Sequence, residues 1–291
     1  MTVTLLILLK VAVAGIILAI GMDSSLKDAT YWWHRPGLLV RSVLAMYVLV
    51  PLAALALVKV LTLSPGVEIG LLVLAVSAGA PLLPRKLMKI GDGAYIFSLV
   101  LTSSLLAILL VPAWLAVLGP QLDYPISLRP ERVALVLAKS FLLPLALGML
   151  VRRLSPAIAE RIGNRLIAIA GLVLTGCALA LVLHWDVLLV ARWSGVLTLA
   201  ALIAISLAIG HLLGGPAEDD RTALAIACAT RHIGIAVLGA ASVPGPRTSV
   251  LVAFYTLTSA VVSIPYLRWR RATASRVEPR RPEELRGSPS N

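Results

Sequence analysis

The chain has 291 residues, of which 59% are hydrophobic and 14% are charged, and its mean hydropathy is +0.95. A water-soluble fold of this size could not bury that much apolar surface, so the composition excludes a soluble enzyme or binding protein. The formal net charge of +12 does not indicate nucleic-acid binding, because the basic residues flank apolar stretches and do not gather on one polar surface.

Nine apolar stretches have about the length that crosses a bilayer core of about 30 Å as a helix. In chain order, spans A to I cover residues 3–21, 37–60, 67–90, 93–118, 131–151, 164–184, 193–213, 221–243 and 248–268. Span A could instead be a cleaved signal peptide, but no Lys or Arg precedes its apolar core. Cys177 and Cys228 both lie in apolar runs, so no disulfide framework is expected. We therefore predict an all-α integral membrane protein with about nine transmembrane helices.

Basic residues alternate between rich and poor loops, which predicts the orientation. With the C-terminus inside, the inner side holds 18 of the 26 Lys and Arg residues and the outer side holds five. Nine spans then place the N-terminus outside, in a multi-pass protein of the cell (plasma or inner) membrane. Residues 271–291 are rich in Arg, Pro, Glu and Ser, and we expect them to form a disordered, basic cytoplasmic tail.

Span C contains proline residues that should open its helix. Pro81 and Pro84 follow Ser77 closely, and each ring removes a backbone donor and disfavours helical geometry just before it. Other prolines, namely Pro51, Pro112, Pro144 and Pro265, are interpreted as ordinary kinks that neighbouring helices satisfy.

Span H carries a polar run, Thr230-Arg231-His232, near its middle. On the predicted topology, spans B, C and D run opposite to spans G, H and I, so the two interrupted spans occupy matching places in inverted triplets. Broken helices paired in this way mark the substrate site of secondary transporters, because they expose helix ends and free carbonyls near the midplane.

Arg231 is the first candidate for substrate binding or coupling. An arginine at the centre of a membrane helix costs about 2.5 to 3.5 kcal/mol and usually faces a cavity or a partner. The alternative is that Arg231 only binds carbonyls freed by the break in span C. His232 could couple a proton to transport, or could simply pack in the crossing with a bond to a carbonyl.

The remaining candidates are hydroxyl and proline positions near the breaks. The full set of predicted substrate-binding or coupling residues is Arg231, His232, Thr230, Ser77, Pro81, Pro84, Ser98 and Thr102. Ser98 and Thr102 share one face of span D, although hydroxyls in membrane helices more often join helices than bind ligands. Lys139 in span E is expected to snorkel or to pair within its span, without a role.

Short motifs along most of the chain resemble those of the bile acid:sodium symporter family. They are Gly21-Met22 with Leu26-Lys27, Gly91-Asp92 leading to Pro112, Lys139 to Pro144 with Gly148, and Ala223-Leu224 with Gly234. The resemblance implies an inverted-repeat transporter fold of ten helices, or nine without the first, with panel and core domains and two discontinuous crossing helices. Residues 1–270 would form this transporter domain. Its core-type segments would be 36–119 and 192–270, and its panel-type segments 1–22 and 130–185.

The chain departs from the family at the positions implied to bind sodium. Leu82-Leu83 replace a Ser-Asn pair after the first break, and Ala227 and Arg231 replace a Glu and a Gln at the second. Ile96 and Val100 occupy positions where sodium-coupled members of the family have hydroxyl side chains. Met46 occupies the position of a Gln in their span B. We therefore expect no metal site and no sodium coupling by the family's route, and hypothesise that the Arg231 guanidinium occupies the volume of a sodium ion. Proton coupling stays open.

The sequence thus favours a secondary active transporter of a small organic anion, either bile-acid-like or another carboxylate, with alternating access where spans C and H cross. Three alternatives stay open: a non-transporting membrane protein, a channel, and a symporter that binds Na⁺ through carbonyls and hydroxyls. An enzyme is not expected, because no acid, nucleophile–base pair or metal-ligand set occurs within the spans. No cofactor is expected, and the partners would be the substrate anion and the lipid bilayer.

Overall fold

The structure is a computed structural model that describes residues 3–24, 34–77, 93–118, 129–183, 185–240 and 247–277. These residues form ten helices and no β-strand. The helices are α1 (Val3–Asp23), α2 (Pro36–Val60), α3 (Pro65–Val76), α4 (Gly93–Leu118), α5 (Pro130–Leu154), α6 (Pro156–Leu183), α7 (Trp185–Leu213), α8 (Glu218–Ala229), α9 (Ile233–Ala240) and α10 (Arg247–Val277).

Four of these helices are long and apolar enough to cross a membrane, judged by length and composition of the described residues. They are Pro36–Val60, Tyr95–Leu118, Pro130–Leu154 and Trp193–Leu213, which correspond to predicted spans B, D, E and G. The helical architecture and the apolar spans agree with a multi-pass membrane protein. The count of nine spans and the inverted repeat stay predictions.

Several helices extend beyond the predicted spans. Helix α6 begins at Pro156 and not near residue 164, and α10 continues to Val277, into the segment predicted to be disordered. Hydropathy detects only the part of a helix that is apolar, whereas backbone hydrogen bonding continues through polar turns at the membrane surface. Pro112 and Pro265 lie inside α4 and α10 without ending them, as the interpretation of kinks requires.

The helices pack into two sets of neighbours. Helix α1 lies along α5 and α6, whereas α7 packs mainly against α8 and α10, and α3 contacts α2, α9 and α10. A continuous apolar core joins α2, α3, α4, α7 and α8, and a small separate cluster of Ala12, Ile16 and Ala170 lies between α1 and α6. The assignment of these sets to panel and core domains stays a prediction.

Helices α1 and α5 cross at a pair of glycines. A Cβ on Gly21 would overlap the Leu145 carbonyl oxygen, and one on Gly148 would lie 2.9 Å from the Met22 nitrogen and overlap the Leu18 carbonyl oxygen. Only glycine lets the two backbones approach this closely, as at other small-residue crossings of membrane helices.

Helices α2 and α5 each contain a π-helical turn followed by a proline. In α2 the turn spans Ala45–Leu49, and the Val50 N–H donates to the Ala45 carbonyl. The Met46 carbonyl then has no helical donor, because Val50 is already used and Pro51 has no N–H. These prolines therefore do more than kink a helix, since they leave backbone acceptors open for other partners.

The same arrangement recurs in α5. Its π-helical turn spans Ala138–Leu142, the Leu143 N–H donates to the Ala138 carbonyl, and Pro144 follows. Single π-helical turns of this kind occur frequently at functional sites. Both turns lie beside the break between α8 and α9, where Met46 contacts Arg231 and Phe141 contacts His232.

An ionic cluster fixes the first turn of α8. Arg270 of α10 is buried, donates from Nε to the Thr222 hydroxyl (2.9 Å) and forms an ion pair with Glu218. Asp220, also buried, pairs with Arg35 at 3.6 Å. The three acidic residues of this turn also suit the positive end of the α8 dipole.

Replacing Thr222 by valine should destabilise the protein by about 2 kcal/mol, because the buried Arg270 guanidinium loses an acceptor that nothing replaces. Thermal unfolding in detergent measures the change. Thr273→Val is the matched control, since the half-buried Thr273 donates its hydrogen bond at the protein surface, to the Trp269 carbonyl of its own helix. Equal melting temperatures for the two variants would refute a role for the buried contact.

Candidate functional site

The break predicted in span H is present in the structure. Helix α8 ends at Ala229, Thr230 adopts an extended conformation (φ −107°, ψ 138°), and α9 begins at Ile233. The Thr230 hydroxyl donates to the Ile226 carbonyl at 2.8 Å, so it closes the last turn of α8. Thr230 therefore uses its hydroxyl donor within the half-helix, and only the acceptor lone pairs of this oxygen are left for a ligand.

Helix α3 ends where this break begins. Its last turn closes at Ser77, whose hydroxyl donates to the Val73 carbonyl at 2.6 Å. The His232 N–H donates to the Ser77 carbonyl at 2.9 Å, which joins the end of α3 directly to the break. Two of the predicted site residues, Ser77 and His232, are thus brought together. Pro81, Pro84, Leu82 and Leu83 lie outside the described residues.

Arg231 is buried in the break, with 3% of its surface exposed. Its Nη1 lies 3.4 Å from the Met46 carbonyl oxygen, the acceptor that the π-helical turn of α2 leaves open. Its Nη2 is also buried and has no hydrogen-bond partner among the described residues. An unused donor of a buried guanidinium is costly, so this atom is available to a ligand or a water molecule.

Hydroxyl groups of α10 satisfy the end of α8. Tyr255 and Ser259 both donate to the Ala229 carbonyl, Ser259 at 3.0 Å. Tyr47 of α2 donates to the Ser103 carbonyl of α4, and Trp114 donates to the Tyr47 carbonyl at 2.7 Å. These bonds fix α2, α4, α8 and α10 around the Arg231 side chain.

The electrostatics of the crossing favour a cation. Helices α3 and α8 both point their C-terminal ends at the break, and each such end carries roughly half a negative charge. Arg231 follows the end of α8 directly, and Tyr47, Cys228 and Tyr255 lie close enough to interact with its charge. The guanidinium is therefore the positive group that two helix ends stabilise.

His232 is held by packing. It is 7% exposed, its ring lies edge-on to Phe141 with centroids 6.3 Å apart, and its Nδ1 faces the Ile235 N–H at 3.4 Å. The histidine thus caps the start of α9 and contacts the π-helical turn of α5. These contacts show how His232 packs in the crossing, and its role as a proton carrier stays a prediction.

Ser98 and Thr102 are buried on α4, which packs against both α3 and α8. Ile96, Val100 and Ala227, three of the positions where the resemblance implies sodium ligands, are buried and apolar. No group of three or more His, Cys, Asp or Glu residues that could hold a metal occurs within the described ranges. The part of the crossing that is described offers a fixed cation and no carboxylate.

Sequence reasoning did not identify three of the groups that contact the break: Tyr255, Ser259 and Phe141. It identified Met46 only as a substituted position, whereas the structure shows its backbone carbonyl as the Arg231 acceptor. Pro51 was only a partial signal, because a proline in an α-helix removes the donor to the carbonyl four residues earlier, here Tyr47, which accepts from Trp114. The π-helical turn, which the sequence does not indicate, is what opens the Met46 carbonyl.

The comparisons with known proteins agree with this architecture. The family model for the sodium bile acid symporter family matches residues 10–193, which run from within α1 to the start of α7. No individual curated protein is matched. The matched region includes the π-helical turns of α2 and α5 and the end of α3, and it stops before the break at Arg231. Since this match covers more than half of the sequence, the chain belongs to the sodium bile acid symporter family.

Proposed function

We propose that the protein is a secondary active transporter of a small organic anion, either bile-acid-like or another carboxylate, with its site where α3 meets the break between α8 and α9. The observation that carries the proposal is the Arg231 guanidinium, which is buried, fixed on one side by the Met46 carbonyl and unpartnered at Nη2 among the described residues. A planar fork with a free donor suits a carboxylate oxygen.

Arg231 also takes the place of a coupling cation in this proposal. The resemblance implies amide side chains at positions 46 and 231 in sodium-coupled members, and here these two positions contact each other through a carbonyl and a guanidinium. A tethered charge supplies the positive group that the ends of α3 and α8 favour. Sodium is then not needed to neutralise the crossing before an anion enters, and the cycle runs without it.

Movement between the panel-type and core-type segments would expose the crossing to each side of the membrane in turn. The contact between Phe141 of α5 and His232 supports this, because it joins a panel-type helix to the break itself. Helix α5 also contacts α1 near its other end, so each half of this helix packs against a different set of neighbours. A displacement of α5 would therefore change the surroundings of the break.

Uptake into proteoliposomes tests the function. A panel of labelled carboxylates is offered with Na⁺ or with K⁺ outside, at two pH values. We expect saturable uptake of at least one carboxylate that is equal in Na⁺ and K⁺ and becomes concentrative when the pH outside differs from the pH inside, because accumulation needs a coupling gradient. Uptake that requires Na⁺ would refute the proposal that Arg231 replaces the coupling cation, but it would still support the function of a transporter. Uptake that never saturates or concentrates would instead indicate a channel, and no uptake would favour a non-transporting protein.

A further inference from the structure

A cavity of about 330 Å³ lies far from the crossing, between the end of α1, the end of α5 and the start of α6. Its α6 wall runs from Pro156 to Ile167, roughly 16 Å along the helix axis. Leu154 ends an apolar span, so this end of the three helices lies at a membrane surface. None of the residues that line the cavity belongs to the break at Arg231.

The lining changes from charged to apolar along the cavity. Asp23, Arg152 and Glu160 lie at or near the helix ends, the polar Asn164 lies one turn beyond Glu160, and Ala19 and Ile167 lie further along α1 and α6. A ligand that fits this gradient has a charged head at the membrane surface and an apolar part that points into the bilayer. That is the polarity of a phospholipid.

The charged end of the cavity has side chains of both signs, and these do not form ion pairs with one another. Arg152 donates from Nη1 to the Met22 carbonyl at 3.3 Å, which fixes its guanidinium beside the cavity. None of the ion pairs among the described residues joins Arg152 to Asp23 or Glu160. One cation and two carboxylates would repel a simple anion, whereas a head with both a phosphate and an ammonium group satisfies both signs.

The surroundings of the cavity also fit a lipid. Leu154, Ile158 and Ile162 are 76%, 50% and 44% exposed, so the outer side of the turn between α5 and α6 presents large apolar side chains. A lipid bound in the cavity would keep its second chain against this exposed surface. Gly163 leaves room in the lining, since a Cβ there would meet only Met22, at 3.8 Å.

We propose that this cavity binds a zwitterionic phospholipid with a primary ammonium head, its phosphate on Arg152, its ammonium group on Asp23 and Glu160, and an acyl chain along Gly163 and Ile167. A primary ammonium donates three hydrogen bonds to carboxylates, which a trimethylammonium head cannot do. The site selects phosphatidylethanolamine over phosphatidylcholine for that reason, and over phosphatidylglycerol because of the two carboxylates.

Lipid binding to the purified, delipidated full chain tests this. Phosphatidylethanolamine, phosphatidylcholine and phosphatidylglycerol with the same acyl chains are titrated, and retained lipid is counted by native mass spectrometry beside the melting temperature. We expect phosphatidylethanolamine to bind tightest. Arg152→Gln and Glu160→Gln should each weaken its binding roughly tenfold, the loss of one charge-assisted hydrogen bond. Arg153→Gln, next to Arg152 but outside the lining, is the control and should change nothing.

A further variant tests the part of the cavity that would hold the acyl chain separately from the part that would hold the lipid head group. Gly163→Leu keeps every charge, fills the apolar part of the cavity and should also weaken phosphatidylethanolamine binding. Lipid-free melting temperatures equal to that of the wild type show that the variants are folded. Equal effects of Arg152→Gln and Arg153→Gln, equal or tighter binding of phosphatidylglycerol, displacement of the lipid by a transported carboxylate, or an unaffected Gly163→Leu variant would each overturn the proposal.

Discussion

Replacing Arg231 by alanine is expected to reduce carboxylate uptake by about 100-fold, because the variant loses the buried cation that lies at the break. About 3 kcal/mol is a reasonable loss for a buried guanidinium that binds both the Met46 carbonyl and the substrate, and this corresponds to a factor of about 100. Initial uptake rates at low substrate concentration in K⁺ medium measure the effect directly.

Two further variants distinguish the effect of the positive charge of Arg231 from the effect of its planar pair of hydrogen-bond donors. Arg231→Lys keeps a positive charge beside the ends of α3 and α8 but has no planar pair of donors, so we expect intermediate uptake. Arg231→Gln restores the residue type that the resemblance implies for sodium-coupled members, and it should be as inactive in K⁺ as the alanine variant. Uptake by all three variants at the wild-type rate would show that Arg231 is only structural.

Arg153→Ala is the control for these uptake experiments. Arg153 is an exposed arginine at the end of α5, so its loss changes the net charge equally and leaves the break intact. Normal uptake by this variant shows that a loss in Arg231→Ala is local. Melting temperatures in detergent for the same proteins show whether any loss of uptake reflects unfolding.

The position of Arg231 could be predicted because charge in an apolar run is visible in the sequence. An unpaired charge in the membrane is costly in free energy, so such a side chain is expected to lie against polar partners. The structure shows it in a helix break, as expected. The end of α3 at Val76 likewise lies just before the proline-rich segment. In both cases the sequence contains a residue that is unfavourable in a continuous membrane helix, a charged side chain or a proline, and the helix is interrupted there.

The partners of Arg231 could not be predicted, because they depend on backbone geometry. A π-helical turn arises from one additional residue in a turn, and the residue types in Ala45–Leu49 do not predict it. Pro51 indicates an open carbonyl but not which donor will reach it. Tyr255 and Ser259 are ordinary residues of an apolar helix until the crossing brings them to the Ala229 carbonyl.

The lengths of the helices escaped prediction for a related reason. Hydropathy marks the residues that must avoid water, and this criterion stops near the membrane surface. The first turns of α6 carry Glu160, Arg161 and Arg165, which continue the helix without contributing to the apolar span. These polar turns form one wall of the cavity that we propose for a phospholipid, so sequence alone did not indicate that site.

Introducing a side chain at Gly148 is expected to give the largest loss of stability. In Gly148→Ala the new Cβ would overlap the Leu18 carbonyl and would lie 3.0 Å from the Gly21 Cα, so α1 and α5 must separate along their crossing. Backbone cannot move aside as a flexible side chain can, and we expect a cost of about 3 kcal/mol. Thermal unfolding in detergent should show it as a clear drop in melting temperature. Gly176→Ala is the matched control on α6, because nothing lies within 4 Å of a Cβ there and alanine is the better helix former. If Gly148→Ala melted at the same temperature as Gly176→Ala, the close crossing of α1 and α5 would be disproved.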